Sequence, residues 1–156
     1  VYQSSLRTVR MQLSGVWSRE ELDAFLTSEA GTVPLRLACR TPAGGLWMLS
    51  LWYRWRDGGL DCATSASADV VEYLRHDDGV SFEVSVNEPP YFGVRGSGHT
   101  TLQPDEEKRL LQSLLERYLG GTDSGLAKRL LSEDREEVHI RIEPSKLYTW
   151  DFSDRM

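Results

Sequence analysis

Residues 46–78 read Leu-Trp-Met-Leu-Ser-Leu-Trp-Tyr-Arg-Trp-Arg-Asp-Gly-Gly-Leu-Asp-Cys-Ala-Thr-Ser-Ala-Ser-Ala-Asp-Val-Val-Glu-Tyr-Leu-Arg-His-Asp-Asp. The period is two at the start. Trp47, Leu49, Leu51, Tyr53 and Trp55 fall on one face, and Met48, Ser50, Trp52 and Arg54 on the other, which predicts a half-buried strand over 46–55. Asp57-Gly58-Gly59 is a hairpin signal, because only residues tolerant of positive φ fit the tight turn that follows strand twist. A strand over about 60–64 should follow and run into Thr64-Ser65-Ala66-Ser67. Val70, Val71 and Leu74 then recur at helical spacing, predicting a short helix over 67–76 capped by Ser67 or Asp69.

The flanking sequence extends this pattern. Residues 33–41 alternate, with Val33, Leu35, Leu37 and Cys39 on one face, and Pro42-Ala43-Gly44-Gly45 turns the chain back. Residues 79–87 alternate again, and Pro89-Pro90 ends them. A strand over 92–102 carries Gly93, Gly96 and Gly98, the mark of bulges or close backbone approach. Ser18-Arg19-Glu20-Glu21 reads as a capping box opening a helix over 18–28, with Trp17 and Leu22 as its staple. Pro104-Asp105-Glu106-Glu107 opens the longest predicted helix, 105–119, ended by Gly120-Gly121. A short helix near 124–132 and strands over 138–143 and 146–152 complete the chain.

This amounts to six to seven strands, mostly joined by short turns, with three or four short helices. The expected class is mainly β with α: an antiparallel sheet closed into a small barrel with peripheral helices. Residues 1–16 lack periodicity and are set apart as a mobile N-terminal arm, ahead of one domain over 17–156.

Composition narrows the function. The chain has 156 residues, 40% of them hydrophobic, and a net charge of −6. That charge argues against a surface that grips nucleic acid or an anionic membrane as a whole. No apolar run reaches the ~20 residues of a membrane helix. No secretory leader pattern opens the sequence, and two cysteines make no disulfide framework, so the expected setting is the reducing cytoplasm.

Several chemistries lack their residues. There is no phosphate-binding Gly-x-x-x-x-Gly-Lys-Ser/Thr loop and no Gly-x-Ser-x-Gly elbow. Gly96-Ser97-Gly98-His99 puts Ser97 and His99 on one strand face with no third group, so a glycine bulge is the better reading than a nucleophile and base. His76, His99 and His139 have no spacing that pairs them with one another or with cysteine, so no metal site is expected. No catalytic residue can be named.

The order of these elements resembles the pyridoxamine 5'-phosphate oxidase-like, FMN-binding split-barrel family. The resemblance covers residues 18–156. It rests on the aromatic strand, the tight turn, Thr64-Ser65 before a helix ending Leu74-Arg75-His76-Asp77, and the Gly-rich strand through Gly93-Val94-Arg95-Gly96-Ser97-Gly98. It also takes in the closing Lys146-Leu147-Tyr148-Thr149-Trp150-Asp151-Phe152.

The resemblance implies a homodimer of split barrels with FMN in a groove at the subunit interface, acting as an oxidoreductase on a small-molecule substrate. It implies that Met48, Leu49 and Ser50 meet the flavin ring and that Thr64, Ser65 and Ser67 hold the phosphate. A helix start rich in hydroxyls and free N–H groups suits an anion on physical grounds as well. Trp52, which shares a face with Ser50 and Arg54, is assigned with Arg54, Arg95 and Trp150 to the cleft. Trp47 and Trp55 are assigned to the core.

One departure stands out. Where the family usually continues Ser-Arg-Lys, this chain has Ala68-Asp69-Val70, so two cations are lost and an anion appears. Arg36, Arg40, Arg54, Arg56 and Arg95 are the candidates to compensate. The alternatives are a split barrel that takes another ligand, such as the deazaflavin F420 or haem, or a cofactor-free dimer without oxidase activity.

Overall fold

The structure is a computed structural model, and it describes residues 11–155. Its strands are β1 (Gln12–Gly15), β2 (Leu35–Arg40), β3 (Leu46–Leu51), β4 (Tyr53–Arg56), β5 (Gly59–Ser65), β6 (Gly79–Ser85), β7 (Phe92–Pro104) and β8 (Glu137–Asp151). Its helices are α1 (Arg19–Thr27), α2 (Asp69–His76), α3 (Arg109–Leu119) and α4 (Gly125–Leu130). The sheet runs β3-β2-β6-β7-β8-β5-β4, with β1 added to β8 in parallel and every other pair antiparallel. The two end strands, β3 and β4, are consecutive in the chain and separated only by Trp52. The sheet therefore curls until its ends meet, giving a split β-barrel with four short helices outside. No helix of the described residues is long and apolar enough to cross a membrane.

Local chemistry accounts for most elements. Glu21 N–H donates to Ser18 Oγ at 3.1 Å and Ser18 N–H to Glu21 Oε1 at 2.9 Å, so the capping box forms as read. Asp57 (φ 52°) and Gly58 (φ 73°) make the two-residue turn between the paired Arg56 and Gly59. Inward residues follow the predicted parity: Leu35, Leu37 and Cys39, then Leu51, Tyr53 and Trp55, then Val80, Phe82 and Val84 are buried.

Four features differ from the sequence reading. The expected strand 46–55 is two, because the chain changes partner at Trp52, from β2 to β5, without breaking its inside–outside alternation. The expected last two strands are one. β8 bulges at Ser145 opposite Ser97 and Gly98, which shifts its buried positions from Val138, Ile140 and Ile142 to Leu147 and Thr149. The expected acidic first turn of 105–119 is a 3-10 turn, and α3 starts at Arg109. The Asp105 carboxylate accepts from Leu110 N–H at 3.0 Å and Leu111 N–H at 2.9 Å, capping α3 from outside it. At α2 neither expected side chain is the cap: that position is Ala68, and Ser67 instead bonds Ser65.

Of residues 1–16, Gln12–Gly15 form β1 against β8, and 1–10 lie outside the described residues.

The glycines of β7 are needed for close approach. A Cβ on Gly98 would lie 2.2 Å from the Glu143 carbonyl oxygen and 2.9 Å from Pro144 Cα. Gly98→Ala should therefore lower stability by about 1–3 kcal/mol, as overpacking does. That corresponds to a fall in Tm of roughly 3–10 °C, read by thermal unfolding.

Candidate functional site

The outer surface of the barrel is clothed on one side and bare on the other. On the clothed side, α3 and α4 bury Leu111, Leu115 and Ala127 against Trp52 and Ala63. Trp52 stacks on Tyr118 with ring centroids 5.1 Å apart and planes 9° off parallel. Arg117 reaches across to the carbonyls of Tyr53 (2.7 Å) and Leu26 (2.8 Å), fastening α3 to the barrel and to α1.

Beside that contact lies a buried ion cluster. Asp61 is 0% exposed and accepts from four donors. Oδ1 takes His139 Nε2 at 2.8 Å and Arg141 Nη1 at 3.2 Å, and Oδ2 takes Arg54 Nη2 at 3.2 Å and Arg56 Nε at 3.3 Å. Burial alone would push this carboxyl up. Hydrogen bonds from His139 and Arg141, reinforced by the Arg141 charge, outweigh it and hold the group well below the usual carboxylate range.

The bare side is a groove of about 620 Å³ running across β3, β2, β6, β7, β8 and β1, a size that suits a small-molecule ligand. Register places its side chains in transverse rows. One row is Arg36, Glu83, Arg95 and Tyr148, on four adjacent strands. The next is Ala38, Ser81, Ser97 and Lys146. Met48, 64% exposed, closes one end of the second row and Gln12 the other. The Arg95 guanidinium sits over the Tyr148 ring at 4.5 Å and the Trp150 ring at 5.4 Å. Among the described residues, Arg36, Glu83, Arg95 and Lys146 take part in no ion pair. The groove thus holds three cations and one carboxylate with their charge unspent.

A curled antiparallel sheet with a bare polar face matches a known architecture. The chain has the pyridoxamine 5'-phosphate oxidase-like split-barrel fold.

Among solved structures it is similar to a conserved hypothetical protein of Mycobacterium tuberculosis, with a TM-score of 0.70 and 24% identity over 91% of this chain and 89% of that one. It is also similar to an F420 reductase, with a TM-score of 0.63 and 19% identity over 80% and 95% of the two chains. A protein of Listeria innocua described as a candidate pyridoxamine 5'-phosphate oxidase aligns with a TM-score of 0.62 and 15% identity over 83% and 95%. No protein-family model and no curated protein matches the sequence.

Against this split barrel the sequence-derived residues separate into two groups. Met48 and Arg95 line the groove and Ser50 lies opposite Arg36 at the end of its row, whereas Trp150, assigned to the cleft, is buried beneath Arg95 and does not line the groove. Leu49 turns inward onto the core. Trp52 and Arg54 are on the clothed side, held by Tyr118 and Asp61. Thr64, Ser65 and Ser67 close β5 and the turn after it. There the Ser65 and Ser67 hydroxyls lie 3.0 Å apart, and none of the three residues lines the groove. Sequence reading did not bring Glu83 and Lys146 into the site. Their signal was present as outward parity on their strands, but their company depends on register between distant strands.

Asp61→Ala should cost about 2–4 kcal/mol, because it removes a fully buried carboxylate and leaves the largely shielded Arg141 and His139 without their partner. The depressed carboxyl contributes stability that is complete above the unfolded-chain value of about 3.9 and lost as pH falls through the lower folded value. Thermal unfolding below pH ~4 should therefore show a steeper acid decline in the native chain than in Asp61→Asn.

Proposed function

We propose that the bare groove binds a flavin-type cofactor, FMN or the deazaflavin F420, and that the chain is an oxidoreductase acting on a small-molecule substrate. The observation that carries this reading is the set of unpaired cations, Arg36, Arg95 and Lys146, gathered in one groove of a chain whose net charge is −6. Such a set suits a ligand that carries negative charge and several oxygen acceptors. The F420 reductase among the structural neighbours supports the same reading.

The residues present fit such a group. Arg95, braced by two aromatic rings, offers a fixed guanidinium. Met48 offers a soft apolar surface for a ring system. Ser81 and Ser97 offer hydroxyls, Lys146 in their row offers charge for a phosphate, and Arg36 offers further hydrogen-bond donors. The turn before α2 is less suited to that phosphate. Its serines bond one another, the cap is Ala68, and Asp69 occupies the first turn. A bound flavin or deazaflavin supplies the hydride chemistry itself, so the chain need only orient and shield it.

The functional unit of this reading is a homodimer. The bare face exposes Leu46, Met48 and Tyr148, and its Arg36–Glu83–Arg95 row alternates in sign, so a two-fold axis can set unlike charges opposite each other. A cytoplasmic setting fits the free, buried thiols of Cys39 and Cys62. The second reading, a split barrel with another ligand or none, draws on Ala68 and Asp69. Haem is the weaker form of it, since no histidine lines the groove.

The purified protein should show flavin or deazaflavin absorption, or saturate on titration with FMN or F420, and should run as a dimer in gel filtration. Arg95→Ala and Lys146→Ala should each weaken FMN binding roughly 10–100-fold, the size of a lost charge-assisted contact. A colourless protein indifferent to both cofactors would refute the reading.

A further inference from the structure

Three charged side chains stand abreast on adjacent strands of the bare face. Register pairs Arg36 with Glu83 and Glu83 with Arg95. Neighbouring strands lie about 4.8 Å apart, so the row spans roughly 10 Å. Arg36 and Glu83 lean toward one end of the sheet, and the Arg95 guanidinium lies between Tyr148 of its own row (4.5 Å) and Trp150 nearer that end (5.4 Å). Arg36 Nη1 donates to the Pro34 carbonyl at 2.9 Å, and Glu83 Oε1 accepts from Ser85 Oγ at 3.2 Å. Arg95 lies over Trp150, whose register partner Gly93 is paired in turn with Ser85. Pro34 lies two residues before Arg36, level with Ser85 when the antiparallel register is continued. Each group is thus steadied by a neighbour, yet none is neutralised by an ion pair among the described residues.

The chemical content of the row follows from its members. A guanidinium only donates hydrogen bonds, and an ionised carboxylate only accepts them. Across the face the order is donor, acceptor, donor. The complement is a planar edge that reads acceptor, donor, acceptor: a carbonyl, a ring N–H and a second carbonyl. A cyclic imide has this edge, and it is the pyrimidine end shared by flavins and 5-deazaflavins. A nicotinamide ring lacks the ring N–H and would leave the carboxylate facing an unmatched partner. A buried or half-buried charge without a partner is costly, so the row rejects as well as attracts.

We propose that Arg36, Glu83 and Arg95 select the groove's ligand by its imide edge, with Glu83 accepting from the imide N–H and the two arginines donating to its carbonyls. This rests on the flavin-type reading above. It adds the orientation of the ring system: the imide end points to the Pro34–Trp150 end of the groove, and the opposite end of the ring system points away from it.

The test compares FMN with its N3-methyl derivative, which keeps both carbonyls and loses the N–H. The readout is the dissociation constant from equilibrium titration of the full chain, without any assay of turnover. The native chain should bind FMN about tenfold or more tightly than the methylated analogue, the size of one charge-assisted hydrogen bond. Glu83→Ala should bring the two constants within about twofold, and a Tm close to native would show that the variant is folded. Arg36→Ala and Arg95→Ala should weaken both ligands alike. Equal affinity of the native chain for the two ligands would overturn the imide assignment while leaving flavin binding intact. So would discrimination that survives in Glu83→Ala. Failure of the native chain to bind FMN or a 5-deazaflavin would instead remove the flavin reading, and this assignment with it.

Discussion

Residues 46–56 run as one extended segment that leaves one edge of the sheet and enters the other without turning. The alternation of side chains is unbroken through Trp52, but the hydrogen-bonding partner changes from β2 to β5. Backbone amides and carbonyls need partners, so a segment paired first with one edge and then with the other holds those edges together. The remaining strands fill the path between. β8 answers the same constraint from within: its first half pairs with β5 and its second with β1, while β7 lies along nearly all of it. The bulge at Ser145 marks the passage between the two neighbours.

Closing the sheet this way divides its outer surface. Where β4 and β5 follow Trp52, α3 and α4 lie over the strands, and outward residues there are apolar or ion-paired. Trp52 therefore lies against Tyr118, and Asp61 is satisfied by four donors. Where β2, β6 and β7 lie, no helix of the described residues covers the outer face, and outward residues keep unspent charge. The same chemical types thus have two meanings in one barrel. Arg54 is bound to a buried carboxylate, whereas Arg95 rests on two rings with its charge available.

Much of this was readable before the structure. The faces of β2, β3 and β6, the Ser18–Glu21 box and the Asp57-Gly58 turn follow from period and turn chemistry, which act over a few residues. Features that depend on distant partners were less accessible. The partner change at Trp52 leaves no mark because parity continues through it. The bulge at Ser145 leaves a misleading one, since a change of phase beside Pro144 looks like the end of a strand. The start of α3 depends on Asp105 reaching two amides beyond a 3-10 turn. The groove was legible in part. Met48 and Arg95 stood out by type and by the family resemblance, whereas Glu83 and Lys146 acquire meaning only once the strands are aligned.

Parity also bears on how such a barrel can evolve. Inward positions are tied to packing, and change there is penalised. Outward positions of β2, β6 and β7 are half-buried or exposed and make few mutual contacts, and surface substitutions of that kind usually alter stability by less than about 0.5 kcal/mol. The chemistry of this face can therefore change while the packing inside the barrel stays the same. A barrel built this way can be re-lettered on its outer face by a handful of point changes, each tolerated by the fold as it occurs.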